Sequence, residues 1–276
     1  MTARMLKYRK IDSPIHRLTG AAKLLFFALW SVTAMITYDT RCLLAMLVLG
    51  IGLFVLSRVP YRDYAFVLAL ILLFFLLNHL AIFLFSPQEG VKLYGTKHVW
   101  LPIAGQYVVT AEQVFYQCNV ALKYAAVIPI ALLFILTTNP SEFAASLNRV
   151  GISYRIAYAV SIALRYIPDV QRDYQNISFA AGARGLDISR NERLGKRIRN
   201  LIAILMPLIL SSIERIEIIS SAMELRGFGR KQTRTWYHAQ PFGVGDYIAM
   251  ALIAVIITVV VWMTAANGSR FYNIFI

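Results

Sequence analysis

Five runs of apolar residues, most of them long enough to cross a bilayer as a helix, restrict this chain to a membrane-embedded helical fold. They are Ala21–Tyr38, Cys42–Ser57, Ala65–Phe85, Val114–Thr137 and Tyr247–Ala266, the second being the shortest. With 58% hydrophobic and only 15% charged residues, the chain is too apolar for an ordinary soluble domain. The expected fold class is all-α, a polytopic helical membrane protein of about five spans.

A net charge of +14 would suit a nucleic-acid partner, but the distribution of that charge argues for a membrane instead. Lys and Arg in short loops mark the cytoplasmic side. Six of them (Arg4, Lys7, Arg9, Lys10, Arg17 and Lys23) lead into the first span against one acid, Asp12. The Arg58–Tyr64 loop adds two, and Asn139–Thr235 adds 15 against 8 Asp/Glu. The intervening loops balance, Arg41 against Asp39, and Lys92 and Lys97 against Glu89 and Glu112. Five spans with the N-terminus inside and the C-terminus outside satisfy every loop. The basic leader is too long, and lacks the small-residue cleavage site, for a removable signal. Cys42 and Cys118 both fall in spans and read as packed small hydrophobes, not as a disulfide.

The expected organisation is a membrane domain over 1–137, a cytoplasmic coupling domain over 138–236, and a final span with the C-terminus over 237–276. Between the third and fourth spans, Ser86–Glu112 has loop composition, with Pro87, Gly90, Gly95, Pro102 and Gly105. Trp100 and Tyr107 there suit the membrane interface. After the fourth span, Asn139-Pro140-Ser141-Glu142 is a helix start, with a capping amide, proline in first position and glutamate in third. A short helix over Phe143–Val150 should lie along the membrane surface and stop at Gly151. Two long helices follow, about Tyr154 to Arg184 with a kink expected before Pro168, and about Lys196 to Arg226 with Pro207 as its kink. Each is on the order of 45 Å long, and one turn between them folds them into a hairpin.

Both long helices end on an Arg-Gly pair, Ala183-Arg184-Gly185 and Leu225-Arg226-Gly227. An arginine followed by a left-handed glycine is also an ordinary helix end. The repetition of the pair at two separated ends of a basic hairpin points further, to a partner with two neighbouring subunits. A guanidinium fork can hold a carboxylate at two points, which lysine cannot.

The ordered set of motifs resembles the transmembrane (T) component of energy-coupling factor transporters. It comprises Thr137-Thr138-Asn139-Pro140 with the Phe143–Gly151 helix, Leu164-Arg165-Tyr166-Ile167-Pro168, Ala183-Arg184-Gly185-Leu186-Asp187, and Ala222-Met223-Glu224-Leu225-Arg226-Gly227-Phe228-Gly229. Near the N-terminus, His16-Arg17-Leu18-Thr19 departs from that family's Asp-Pro-Arg-containing start. The resemblance implies that the tripeptides Ala183–Gly185 and Leu225–Gly227 dock into grooves on two ABC-type ATPase subunits. It also implies that the membrane part holds a small substrate-binding S component in the cell membrane. Leu186, Met223 and Phe228 would pack beside the docked arginines, while Arg165 and Pro168 would hold the hairpin together.

The chain has no Gly-x4-Gly-Lys-Ser/Thr loop, so ATP and Mg belong to the partners, and no cofactor is expected on this chain. His16, His79, His98 and His238 share no metal-ligand spacing, and no catalytic triad is recognisable. A non-catalytic transporter subunit is therefore the expectation. A conventional ABC permease would instead line the substrate path itself, with Asn78, His79 and Lys123 as its candidate intramembrane polar groups. An intramembrane enzyme would need paired acids or metal ligands that the spans lack. Asp246, before the last span, reads as a helix N-cap next to Gly245.

Overall fold

The computed structural model describes residues 13–104, 107–186, 194–230, 235–236, 240–268 and 270–272. The basic arm before Ser13, Gly105, the charged turn at 187–193 with Asp187, and His238 lie outside the described residues. The elements are α1 (Gly20–Ile36), α2 (Thr40–Leu56), α3 (Ala65–Phe85), α4 (Glu89–Tyr94), β1 (Val99–Ala104), β2 (Tyr107–Thr110), α5 (Ala111–Thr137), α6 (Pro140–Arg149), α7 (Tyr154–Ala183), α8 (Leu194–Leu225) and α9 (Val244–Ala266). They divide into two compact units, Met1–Asn139 with Gln240–Ile276, and Pro140–Ala239.

The first unit is a bundle of apolar helices. By length and composition α3, α5 and α9 can each cross a bilayer, whereas α1 and α2 are apolar helices of 17 residues. Seventeen residues rise about 25 Å, somewhat short of a full hydrocarbon core. Local chemistry sets the starts. The Thr19 hydroxyl accepts from the Ala22 N–H, the Asp39 carboxylate from the Arg41 N–H, and the Thr110 hydroxyl from the Gln113 N–H.

Two spans begin about a turn earlier than their apolar runs. Helix α5 starts at Ala111, not Val114, and α9 at Val244, not Tyr247. In both, the extra turn carries polar residues that are buried and bonded (Glu112, Gln113 and Asp246), so hydropathy alone stops short of it. Asp246 is the third residue of α9; its Oδ2 reaches back to the Gly243 N–H at 2.8 Å. Gly243, not Asp246, is the capping position.

The bundle core joins four helices. Trp30 is fully buried and donates its indole N–H to the Ala126 carbonyl at 3.0 Å, locking α1 to α5. Around it pack Phe26, Leu43, Met46, Ile130, Ile253 and Val260. A Cβ at Gly50 would sit 3.5 Å from both Ala126 O and Trp30. Small residues at such crossings let helices approach closely in a membrane. Helix α3 has no buried residue at all. Apart from Asn78 and His79 its surface is apolar and suits lipid. Both cysteines are free, Cys42 buried and Cys118 exposed.

The connection expected to be loop is structured. Helix α4 ends at Gly95 (φ 72), and β1 and β2 pair antiparallel with two register irregularities. Gly90 is there for space: a Cβ on it would lie 2.4 Å from the Glu112 carbonyl oxygen. Its N–H donates to Gln113 Oε1 at 2.8 Å. The fully buried Glu112 carboxylate accepts from the Thr96 hydroxyl and the His98 backbone N–H, and bonds the His98 ring at 2.7 Å. Within this connection Tyr107 donates to the Leu84 carbonyl, and the Trp100 ring is exposed.

Candidate docking surface of the helical hairpin

The second unit consists of α6 and the two long helices. Helix α6 begins at Pro140, as its start signal requires, and the chain leaves it through Gly151 at φ 106. Helices α7 and α8 run antiparallel, a geometry fixed by contacts along their length. Arg155, near the start of α7, donates to the Gly229 carbonyl just past the end of α8. Further along, Arg215 of α8 meets Asp173 of α7 at 2.6 Å and lies 5.3 Å above the Tyr166 ring. Both Pro168 and Pro207 lie inside continuous helices.

The two Arg-Gly pairs adopt the same cap. At the end of α7, the Leu186 N–H donates to the Ala181 carbonyl and the Gly185 N–H to the Gly182 carbonyl. At the end of α8, the Phe228 N–H donates to Met223 and the Gly227 N–H to Glu224. This is the Schellman arrangement, with glycine in the left-handed region at φ 82 (Gly185) and φ 67 (Gly227). Arg184 and Arg226 therefore occupy equivalent cap positions and are exposed, as are Ala183 and Leu225, the latter 90% exposed. Each cap is closed by these two backbone bonds.

Because the helices are antiparallel, the caps lie at opposite ends of the hairpin. Helix α8 has 32 residues. That is on the order of 45 Å of helix between them. Between the caps, Ile198, Ile202, Met206, Ile209, Ile213 and Ile216 form an exposed apolar stripe at helical spacing. The hairpin thus offers a cation at each end and an oily face in between.

The supporting residues divide. Leu186 and Met223 sit half-buried at the C″ and C3 positions of their caps. Phe228 turns inward, its ring 5.3 Å from Tyr154 and 4.9 Å from Tyr158. Trp236 continues this aromatic cluster 6.2 Å from Tyr158 and donates its indole N–H to Asn148 Oδ1. Phe228 thereby fastens the α8 end to the start of α7. Arg165 is exposed, and the ion pair bracing the hairpin is Asp173–Arg215. Neither of these residues stood out in the sequence: they are 42 positions apart, and only the helical register brings them together.

The intramembrane polar groups are placed as follows. Lys123 is buried, donates to the Met35 carbonyl at 2.8 Å, and lies 3.1 Å from the Tyr38 ring centroid. Its ammonium closes the end of α1. The His79 ring lies between the carbonyls of Phe75 and Gln117. Asn78 is exposed and lines a cavity of about 360 Å³ with Phe74 and Tyr124. Among the described residues no group of three or more His, Cys, Asp or Glu side chains is placed to hold a metal.

A polytopic apolar bundle with an amphipathic, doubly capped hairpin is the architecture of a transporter membrane component. The sequence profile of the CbiQ family, described as cobalt transport protein, matches residues 12–236, and the chain belongs to that family. It is 32% identical over 253 residues to the "Energy-coupling factor transporter transmembrane protein EcfT" of Bacillus selenitireducens, covering 87% of this chain and 89% of that one. The protein of the same name from Staphylococcus aureus is 26% identical over 256 residues, covering 90% and 91%. That of Thermotoga maritima is 26% identical over 266 residues, covering 93% and 92%.

Proposed function

We propose that this chain is the energy-coupling membrane subunit of an ECF-type ABC importer in the cell membrane. It links ATP hydrolysis by two ATPase subunits to reorientation of a separate substrate-binding S component during micronutrient uptake. The observation that carries this reading is the duplicated cap. Two exposed arginines each precede a glycine-closed cap of the same type at opposite ends of one braced hairpin, a match for two like sockets on a pair of motor subunits. Each guanidinium would enter a groove and meet a carboxylate in two-point fashion. Ala183 and Leu225 would flank the docked cations, and Gly185 and Gly227 would let the backbone approach closely.

The mechanism is mechanical. Closure of the ATPase pair on ATP moves its two grooves and delivers force to both ends of the hairpin. The Asp173–Arg215 brace and the Phe228–Tyr154–Tyr158 cluster make α7 and α8 move as one body. The apolar stripe of α8 transmits that movement to the membrane-embedded S component. ATP and Mg reside on the partners, and this chain carries out no chemistry itself.

The test is gentle detergent purification from a host expressing the whole operon, followed by proteoliposome uptake. Two nucleotide-binding subunits and one small hydrophobic protein should co-elute, and uptake should require all of them. Substrate binding or ATP turnover by the isolated chain would contradict the reading.

A further inference from the structure

The search for sites beyond the hairpin leads to the end of the bundle where α1 and α9 begin and α2 and α5 finish. A cavity of about 300 Å³ opens there between Phe26, Leu53, Leu56, Leu133, Phe134 and Leu252. Its size is that of a small-molecule site. The one charged side chain in its wall, Lys23, is buried and donates to the Thr137 and His16 carbonyls, so its ammonium is engaged by protein. The cavity therefore accepts hydrocarbon and little else.

A second, polar cavity adjoins it and shares Pro14, Leu18 and Gly245 with it. Arg17 and Arg58 line this second cavity, together with Asp246. The Asp246 oxygens are each occupied by a backbone N–H, from Thr19 and Gly243. Arg58 is exposed and is the one non-glycine residue with positive φ (54°) among the described residues. A left-handed conformation costs an arginine on the order of 1 kcal/mol that glycine would escape. The turn after α2 thus carries a strained basic residue in the wall of this second cavity. The loop charges put this end of the bundle on the cytoplasmic side, where anionic headgroups lie.

We propose that the two adjoining cavities form one binding site for an anionic phospholipid of the inner leaflet. An acyl chain fills the apolar cavity, and the headgroup phosphate sits at its mouth against Arg58. Charge complementarity at the mouth selects phosphatidylglycerol over a zwitterionic lipid of the same chains. Each basic residue near such a headgroup contributes about fivefold in affinity. This site is independent of the ATPase-docking role.

The test is native mass spectrometry of the delipidated full chain, titrated with palmitoyl-oleoyl phosphatidylglycerol or phosphatidylcholine. The wild type should prefer phosphatidylglycerol by about fivefold or more, and Arg58→Gln should lower that preference about fivefold. Arg58→Gln alters an exposed side chain, so its folding is not in question. Ala249→Phe, which fills the apolar cavity, should lose both lipids while remaining monodisperse on size exclusion. Excess inorganic phosphate should not displace the lipid. Equal retention of the two lipids with no effect of Arg58→Gln overturns the proposal. Displacement by phosphate would reduce the site to one for a free anion and overturns it too. Expulsion of the lipid when the ATPase and S subunits assemble would assign the cavity to a protein partner, with the same consequence.

Discussion

The carboxylate of Asp246 bonds the backbone N–H of Thr19 at 2.8 Å, joining the starts of two helices 227 residues apart in the chain. Its other oxygen caps its own helix at Gly243, also at 2.8 Å. One buried acid therefore closes the first and last helices of the bundle against each other. Charge-assisted bonds of this kind are among the stronger polar contacts a fold contains.

Replacing Asp246 with Ala strands two N–H donors and should cost about 3 kcal/mol. Asp246→Asn, which keeps an acceptor for one donor, should lose about half of that. Thermal midpoints of the purified chain in detergent measure both, and equal midpoints for the three proteins would remove this role for the acid.

Gly90 makes a steric prediction. With a Cβ destined to lie 2.4 Å from the Glu112 carbonyl oxygen, Gly90→Ala forces α4 away from α5. Overpacking of this kind costs about 1–3 kcal/mol. The midpoint should fall accordingly, and amides of 89–98 should exchange faster with deuterium. Unchanged exchange there would show that the two segments are not so tightly apposed.

Gly185 and Gly227 make a conformational one. A Cβ at Gly185 meets nothing within 4 Å, so Gly185→Ala bears only the left-handed backbone cost, about 1 kcal/mol. At Gly227 the added Cβ also meets Arg230 Cδ at 3.4 Å, an ordinary contact. Both variants should fray the last helical turn, seen as faster exchange at Leu186 or Phe228, with α6 unaffected. Full protection in both variants would refute the cap assignment.

The brace between α7 and α8 is open to a double-mutant cycle. Asp173 and Arg215 are both partly exposed, at 28% and 36%. Their coupling should be modest, about 0.2–1 kcal/mol, the Tyr166 contact of Arg215 cancelling in the cycle. A coupling near zero would leave the hairpin held by its aromatic cluster and the Arg155–Gly229 bond.

What could be read from the sequence was local. Gly151, Gly185 and Gly227 were read as helix ends, and all three lie at positive φ. A glycine after an apolar periodic run needs no distant partner to be recognised. The apolar runs likewise marked α1, α2, α3, α5 and α9, to within two residues except for the polar first turns of the last two. The β1–β2 pair was hidden because Pro102 and Gly105 argue for loop, while strand pairing depends on register between segments. The Asp173–Arg215 pair, the inward turn of Phe228 and the Thr19–Asp246 bond are contacts between distant segments. No spacing rule along one helix reveals them.

The central claim is that Arg184 and Arg226 anchor two ATPase subunits. Both caps close through backbone bonds that alanine at either position keeps. The direct measurement is the affinity of the ATPase pair for the chain in nanodiscs, with wild type, Arg184→Ala, Arg226→Ala and the double variant. Each single change should cost about 3–5 kcal/mol, at least about a hundredfold. With the two sites far apart, the losses should add. Wild-type affinity in both single variants would contradict the docking role.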